Sequence, residues 1–408
     1  MPGWQSSRMT TPALFLLATL AVPAAPAPAA PELPRDAAFE ACVASLRAPA
    51  AAAGIRSDTF ATLTADLRKD PSVLESLDYQ PEFRTPIWDY LAGLVDDERV
   101  DDGRARLAEH RELLDRLAAE YQVDAETIVA VWGVESDYGR TFGRKPLLQS
   151  LATLSCAGRR QAFFRGELFA LIRLIQAGDL RAEGLAGSWA GAFGHTQFMP
   201  STYQRIAVDG DGDGRRDLVA SIPDALASTA NYLRKAGWRP GEAWGFEVRL
   251  PAGDFNAAGR QAKKPMAHWR SRGVVRADGS HLPAGDTAAA LLLPAGREGP
   301  AFLVQRNYDA IYSYNAAESY ALAIALLSDR LRGGPGLVAD WPTNDPGLSR
   351  AERRQLQERL LARGHDIGAV DGLIGAKTRD AIAAEQRRLG LTPDGRAGRA
   401  ILEALRKE

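Results

Sequence analysis

The chain has 408 residues, enough for two or three domains, and its 50 Lys and Arg residues nearly balance 51 Asp and Glu residues. A formal charge of −1 at pH 7 argues against a nucleic-acid-binding protein, so we expect no nucleic-acid partner. With 2 cysteines and 5 histidines, the chain cannot form a four-cysteine zinc site and is a poor candidate for a histidine-rich one.

The N-terminus has the parts of a secretory signal. Arg8 supplies a positive start, residues 13–22 form a short apolar run, and Ala27-Pro28-Ala29 offers a small-residue cleavage site. The run is shorter than the roughly 20 residues that cross a bilayer. The alternative is a buried core helix, but its position at the start of the chain favours a signal peptide over residues 1–30.

Helical periodicity dominates the first half of the chain. Residues 37–120 are helix-rich, and 101–121 alternates charges with leucines as one amphipathic helix does. Asp124 is expected to be the N-cap of the next helix. Further helices are predicted at 146–155, 160–177, 201–207, 222–237 and 316–332.

Composition changes in the second half. Residues 240–312 are rich in Gly and Pro, with short β-prone runs at 246–250, 289–293 and 301–304, and predict a small β-containing insertion. A Gly/Pro-rich linker is predicted at 333–347. Residues 348–408 form a charge-rich tail with helical periodicity. No heptad pattern is present, so we expect a monomer.

A carboxylate interrupts an apolar helical face. That face carries three apolar residues and one acid at spacings of three and four: Ile128, Val131, Trp132 and Glu135. A carboxylate in such a place is either paired or desolvated, and desolvation raises its pKa toward the range that a general acid needs. The alternative is a Glu paired with a nearby Arg or extending into solvent. Asp137 lies on another side of this helix, and Gly139 is expected to end it.

A Gly- and aromatic-rich stretch follows at 187–203. Its small residues allow close approach of a ligand, and its aromatic and polar side chains suit an extended sugar. The alternative is a tightly packed turn entering a helix. His195 alone is interpreted as structural.

An acidic loop resembles a calcium-binding sequence. Asp209, Asp211, Asp213 and Asp217 occupy positions 1, 3, 5 and 9 of an EF-hand-type pattern. Arg215 would offer its backbone carbonyl at position 7. Position 12 is Ala220 rather than Glu, so Asp224 is the candidate to close the site. These residues favour a structural calcium ion over a bare Asp/Gly turn, and no cofactor is expected for the chemistry.

The two cysteines, Cys42 and Cys156, would meet an oxidising compartment if the chain is exported. A disulfide between them is favoured over two buried free thiols, although sequence alone does not show that they lie within bridging distance.

Four strings, in order, resemble the lytic transglycosylase B family of bacterial murein-cleaving enzymes. They are Asp-Tyr-Gln-Pro-Glu-Phe at 78–83, Trp-Gly-Val-Glu-Ser-Asp-Tyr-Gly at 132–139, Ala-Gly-Ala-Phe-Gly-His-Thr-Gln-Phe-Met-Pro-Ser at 190–201 and Ser-Tyr-Asn at 313–315. The resemblance covers about 37–332. It implies a mainly α (α+β), lysozyme-like catalytic domain over 31–332, with the β-containing insertion inside it.

The resemblance also implies a reaction. Glu135 would be the sole catalytic acid and base, cleaving the bond between N-acetylmuramic acid and N-acetylglucosamine and closing a 1,6-anhydro ring without water. The residues that would line the glycan groove are Ser188, Gln197, Tyr232, Tyr314, Asn315 and Tyr320. Some family members carry a calcium loop where 209–217 stands. Other members are lipoproteins, but the signal lacks a lipid-attachment cysteine, so a soluble periplasmic form without a membrane anchor is expected.

The tail over 348–408 resembles the three-helix peptidoglycan-binding module. The similarity rests on helix-spaced Leu and Ile residues and on the Asp-Gly pairs at 371–372 and 394–395. Such a module would tether the enzyme to peptidoglycan glycan strands. The alternative for the tail is a generic helical bundle. Two other functions stay open: a hydrolytic muramidase of the same fold, and a non-catalytic cell-wall-binding protein.

Overall fold

Helices make up most of the part of the chain that precedes the sheet. The computed structural model describes residues 34–78, 85–255 and 259–408, so the predicted signal peptide and most of the 78–83 string lie outside the described residues. The elements of this first part are α1 (Ala37–Ser45), α2 (Arg47–Ala52), α3 (Ser57–Thr64), α4 (Pro71–Asp78), α5 (Ile87–Leu94), α6 (Asp97–Glu109), α7 (Arg111–Tyr121), α8 (Ala125–Ser136), β1 (Lys145–Pro146), α9 (Leu147–Cys156), α10 (Gln161–Ala177), β2 (Ala186–Gly187), α11 (Pro200–Ile206) and α12 (Ile222–Lys235).

An antiparallel sheet interrupts the helices. The remaining elements are β3 (Gly245–Arg249), β4 (Lys264–Pro265), α13 (Met266–Ser271), β5 (Val275–Arg276), β6 (Ala288–Leu292), β7 (Ala301–Val304), α14 (Arg306–Tyr312), α15 (Glu318–Leu331), α16 (Arg350–Ala362), α17 (Ala376–Arg388) and α18 (Arg399–Arg406). The strand order in the sheet is β4-β6-β7-β3-β5. The predicted mainly helical, α+β class is confirmed. Among the described residues, no helix is both long and apolar enough to cross a membrane.

The three predicted strands agree with β3, β6 and β7 to within one residue. The expectation of one helix over 101–121 is wrong. The chain leaves helical geometry at His110, with φ −107° and ψ 25°, and α6 ends before it while α7 begins after it. Neither Gly nor Pro stands at this break, so the alternating charges on both sides of it predicted one continuous helix.

The helix α8 lies at the centre of the larger helical core. Its residues from Thr127 to Gly133 are all buried, and it packs along α15. The sheet has a separate core, which includes Phe246 and Leu303. The C-terminal module has another core of its own. The module is therefore a bundle of three helices that closes around its own apolar residues.

The C-terminal module is fixed to the helical domain by buried ion pairs. Arg350, the first residue of α16, pairs with Asp96, and both side chains are at least nine-tenths buried. Arg396 pairs with the buried Asp89. Arg353 donates to the backbone carbonyl of Asp89 at 2.8 Å. Breaking one member of a buried pair costs about 3–5 kcal/mol, so these contacts hold the module in one orientation.

The predicted linker over 333–347 is also held in place. Both carboxylate oxygens of Glu247, on β3, accept backbone N–H groups of this segment, from Val338 and Ala339 at 2.8 Å each. The expectation of a flexible tether is therefore modified, because the segment has fixed contacts with β3.

The structure joins Cys42 and Cys156 in a disulfide, with their Cα atoms 5.8 Å apart. Cys42 lies in α1 and Cys156 ends α9, so the bond connects the first described helix to the helical core. It closes a long loop, since the two residues are 114 positions apart.

We expect the double variant Cys42→Ser/Cys156→Ser to lose about 2–4 kcal/mol of unfolding free energy, because a cross-link restricts the unfolded chain. Urea denaturation of both proteins measures the difference. A thiol assay on the denatured, unreduced wild type should find no free thiol. Two reactive thiols in that assay would contradict the bond.

Candidate functional site

The helix α8 brings Glu135 from the core to a half-buried position one residue before the helix ends. The rest of the predicted face is buried, as the spacing indicated: Ile128 and Val131 have no exposed surface and Trp132 has 1%. Asp124 stands at the predicted N-cap position, but its side chain makes no capping bond and pairs instead with Arg332.

The end of α8 has an unusual backbone. The helix stops at Ser136, three residues before the predicted stop at Gly139. Asp137, Tyr138 and Gly139 follow with φ angles of 51°, 57° and 85°, all in the left-handed region. Two consecutive non-glycine residues rarely adopt this conformation, so the side chains of the motif must hold it.

Ser136 and Trp132 tie the helix end to His195. The Ser136 hydroxyl donates to the His195 carbonyl at 2.5 Å and accepts the Gly139 N–H at 3.0 Å. The Trp132 indole N–H donates to Nδ1 of His195 at 3.1 Å. His195 is buried, and these contacts support its structural interpretation. The strings at 132–139 and 190–201 therefore meet through it.

Tyr138 explains the glycine in the same motif. Its ring lies against Gly133, where an added Cβ atom would come within 2.7 Å of the Tyr138 ring and hydroxyl. The Tyr138 hydroxyl donates to the backbone carbonyl of Arg99 at 2.8 Å. Only glycine at position 133 lets the chain fold back on its own helix in this way.

Asp137 is bound by arginines, whereas Glu135 is bound by Tyr320. The Asp137 carboxylate pairs with Arg99 at 3.1 Å and with Arg350 at 2.5 Å. Burial lowers the pKa of Arg99, and the negative charge of Asp137 partly offsets this fall. Burial alone would lower the pKa of Arg350, but the carboxylates of Asp96 and Asp137 outweigh burial and raise this pKa. Arg140 lies 3.5 Å from the same carboxylate, so Asp137 is an anchor for three arginines.

Three of the predicted groove residues lie together beside Glu135. The Tyr320 hydroxyl donates to Oε1 of Glu135. Burial, together with the nearby Glu135 carboxylate, raises the pKa of Tyr320 well above its usual value, so this phenol stays protonated. The Tyr314 ring stacks on Tyr320, with centroids 6.4 Å apart, and lies 4.6 Å from the Tyr232 ring. The result is an aromatic row that starts at the carboxylate.

The hydroxyl protons of Tyr314 and Tyr232 are directed at the protein backbone, unlike that of Tyr320. Tyr314 donates to the carbonyl of Thr196 at 2.8 Å, and Tyr232 to the carbonyl of Ser313 at 2.7 Å. Burial raises the pKa of Tyr314, so it too stays protonated. The bond to Thr196 brings the row beside the 190–201 string.

The other predicted groove residues are Gln197, Ser188 and Asn315. Gln197, with φ 50°, donates its amide N–H to the carbonyls of Gly194 and Phe142. The Ser188 hydroxyl accepts the N–H of Ala192 at 3.0 Å and closes a tight turn. Asn315 is exposed next to the aromatic row.

The acidic loop gathers three carboxylates. The ligand oxygens of Asp209, Asp211 and Asp213 all lie within 4.8 Å of one another, and the three residues are exposed. Arg215 is also exposed, and its N–H donates to Asp213 at 2.8 Å. Hard oxygen atoms in this arrangement suit a divalent cation such as calcium.

The last two candidate ligands bind the backbone instead. Both oxygens of the buried Asp224 accept N–H groups, from Gly210 at 2.7 Å and Asp217 at 2.6 Å. Asp217 accepts the N–H groups of Val219 and Ala220. In the described structure they lie outside the group of three, and they fix the loop's shape.

A cavity of about 720 Å³ lies elsewhere, between the sheet, α5, α15 and the 333–347 segment. Its lining includes Trp88, Trp244 and Trp341. No residue that the sequence predicted for catalysis or glycan binding is part of this lining. The cavity is therefore separate from the predicted site at Glu135.

Sequence reasoning missed Arg99 and Arg350 as supports of the site. Both approach the end of α8 from far along the chain, and an arginine in a charge-rich helix carries no signal of burial. Tyr138 lies inside the 132–139 string, but nothing in the sequence indicated that it, as well as Gly139, would have a positive φ angle.

The buried His195 predicts a pH dependence of stability. Burial lowers its pKa to about 4, against 6.5 in the unfolded chain. Between these values the unfolded state binds the proton and the native state does not, so stability falls as pH falls through this window. We expect His195→Asn, whose side-chain oxygen can still accept the Trp132 N–H, to reduce the loss between pH 7 and pH 5 by about 1–2 kcal/mol. Urea unfolding at both pH values measures it, and equal losses in both proteins would contradict the assignment.

With this geometry in place, comparison with known proteins identifies both parts of the chain. A family model described as Transglycosylase SLT domain matches residues 38–329, and one described as Putative peptidoglycan binding domain matches residues 349–405. Membrane-bound lytic murein transglycosylase B of Escherichia coli (strain K12) is 32% identical over 203 residues, which are 46% of this chain and 56% of that protein. The match thus spans little more than half of that relative.

Solved structures extend the similarity. SltB3 from Pseudomonas aeruginosa, in complex with NAG-anhNAM-pentapeptide, has 49% sequence identity and a TM-score of 0.72, and the match covers 90% of this chain and 99% of SltB3. An Escherichia coli lytic transglycosylase in complex with calcium has 28% identity and a TM-score of 0.62, covering 72% of this chain and 92% of that one. Because the first family model spans well over half of the chain, the protein belongs to the Transglycosylase SLT domain family.

Proposed function

We propose that the protein is a peptidoglycan lytic transglycosylase in which Glu135 is the single acid and base. The observation that carries the proposal is the carboxylate itself: it sits half-buried at the end of a buried helix and accepts a hydrogen bond from a protonated Tyr320. The neighbouring acid, Asp137, pairs with three arginines and is unsuited to act as a second catalytic carboxylate.

The reaction needs only this one group. Protonated Glu135 gives its proton to the glycosidic oxygen as the bond from muramic acid C1 breaks. The Glu135 carboxylate then takes the proton of the muramoyl C6 hydroxyl while that oxygen bonds to C1, so the acid is restored and no water is consumed. Attack from within the same sugar has a large proximity advantage, which removes the need for a positioned water.

The aromatic row supports sugar binding beside Glu135. Rings such as Tyr232 and Tyr314 offer apolar faces to a pyranose. Their hydroxyl protons are directed at backbone carbonyls, so the proposed contacts use the rings, while exposed Asn315 supplies a polar group. The complex of the relative SltB3 with NAG-anhNAM-pentapeptide agrees with this substrate class.

The C-terminal module is proposed to bind peptidoglycan glycan strands, in line with its family model. Because buried ion pairs fix it to the catalytic domain, it would present the polymer to Glu135 in a set direction. We further propose export to the periplasm, where this substrate lies, and action as a monomer. The signal-like sequence at 1–30 and the disulfide support the export.

We expect Glu135→Gln to lower glycan cleavage by about 10²–10⁴-fold, because the amide can neither give nor take the proton. Mass spectrometry of muropeptides released from purified sacculi measures cleavage. Wild-type products should be about 18 Da lighter than muramidase products, since ring closure replaces the addition of water.

The control is Glu112→Gln, at an exposed glutamate of α7, which should keep wild-type activity. Sacculus pull-down should be unchanged in both variants. Products with the full mass of water would indicate a hydrolytic muramidase. Pull-down without any products from the wild type would indicate a wall-binding protein.

We also propose that the acidic loop binds calcium as a structural ion. Asp209, Asp211 and Asp213 would be ligands, and Asp224 would hold the loop through its two backbone bonds. The calcium complex of the Escherichia coli relative supports this proposal. The ion would neutralise carboxylates that otherwise repel one another.

Millimolar calcium should therefore raise the melting temperature, and a chelator should reverse the rise. Asp211→Asn should weaken the calcium effect, because it removes one of the three clustered charges. The matched control is Asp217→Asn, which lies outside the cluster and should keep most of the calcium-dependent shift. Calorimetric titration checks binding directly, and no heat and no shift in the wild type would refute the site.

A further inference from the structure

The C-terminal module contacts the end of the catalytic helix through one side chain. The guanidinium of Arg350 donates to Asp137 at 2.5 Å, and Asp137 is the residue that directly follows α8. Glu135 lies two residues earlier in the same last turn. A charge from the peptidoglycan-binding module thus reaches within two residues of the proposed acid and base.

Asp137 has a demanding place in the backbone. With φ 51° it reverses the chain, and its N–H closes the last turn of α8 by donating to the carbonyl of Gly133 at 3.1 Å. Aspartate tolerates this conformation better than most residues, but it is not the preferred one. The next residue, Tyr138, is also left-handed, so two unfavourable backbone conformations follow each other at this point.

Two buried arginines hold Asp137 there from opposite domains. Arg99 belongs to α6 of the catalytic domain and also donates to the Gly133 carbonyl, whereas Arg350 begins α16 of the module. Arg350 in turn binds Asp96, whose other oxygen caps α6 by accepting the N–H of Arg99 at 2.8 Å. Asp96, Arg99, Asp137 and Arg350 therefore form one connected network around the helix end.

We propose that Arg350 is a positioning residue for Glu135, acting through Asp137, so that the peptidoglycan-binding module completes the catalytic unit. The proposal rests on the proposed function of Glu135. Loss of the Arg350 charge leaves Asp137 with its partners inside the catalytic domain, and the last turn of α8 loosens. The carboxylate then spends less time in the orientation that proton transfer needs.

The test is Arg350→Ala in the full chain, assayed on purified glycan strands. We expect kcat to fall about tenfold or more, because displacement by about 1 Å costs up to about 100-fold in rate. KM and sacculus binding should stay within about twofold of wild type, because the aromatic row and the module core are untouched. Arg350→Lys, which keeps the charge without the fork of donors, should lie between the two.

Arg354→Ala is the matched control. Arg354 lies on the same helix and pairs across the same interface with Glu98 at 2.5 Å, whereas Arg350 pairs with Asp137. We expect its kcat to match the wild type. An equal fall in both alanine variants would mean that domain docking in general matters, and would overturn the specific role of Arg350.

A second readout does not depend on activity. Hydrogen exchange at the amides of Asp137 and Tyr138, which bond back to α8, should become faster in Arg350→Ala and not in Arg354→Ala. If Arg350→Ala fails to fold, Arg350→Lys carries the same comparison. Unchanged exchange and unchanged kcat in a folded Arg350 variant would refute the proposal, whereas a wild type without cleavage but with the exchange difference would refute only the proposed function.

Discussion

The structure depends on how a buried helix ends. The helix α8 must bury its apolar face and still present Glu135 at its last turn, so the chain has to leave the helix at once and in a fixed direction. Two non-glycine residues in the left-handed region achieve this, and each is held by its side chain: Asp137 by three arginines and Tyr138 by the Arg99 carbonyl. Backbone strain of this kind persists only where the surroundings over-determine it.

The remaining parts of the site are organised around that end. His195 receives Trp132 and Ser136 from the helix and connects it to the glycine-rich string, while Tyr314 joins the same string to the aromatic row. Tyr320, on the helix that packs along α8, meets Glu135 from the other side. The string around His195, Tyr232 of α12 and the stretch from Tyr314 to Tyr320 thus gather around the end of α8, and most of these polar contacts go to backbone carbonyls.

The C-terminal module is docked on the helical domain and is not loosely tethered to it. Sequence composition suggested a wall-binding module at the end of a Gly/Pro-rich linker, a design in which binding only raises local substrate concentration. The buried pairs of Arg350 with Asp96 and of Arg396 with Asp89 instead fix one orientation. Buried charges that lose a partner are costly, which makes such an interface specific even where its apolar area is small.

Sequence alone determined the elements whose signals are local. Periodicity placed the helices predicted with bounds from residue 146 onward, and the three predicted strands, within two residues. It missed the break at His110, where no Gly or Pro stands, and α8 ends three residues before the predicted Gly139. The spacing of Ile128, Val131, Trp132 and Glu135 singled out the carboxylate, because a helix puts these positions on one face. Only the tertiary structure decided which arginines reach Asp137, that Asp224 braces the acidic loop through backbone N–H groups, and that the C-terminal module is docked. Those contacts join residues far apart in sequence. The sequence around an arginine or aspartate looks the same whether its charge faces water or pairs with a buried charge, so the partner cannot be predicted from it.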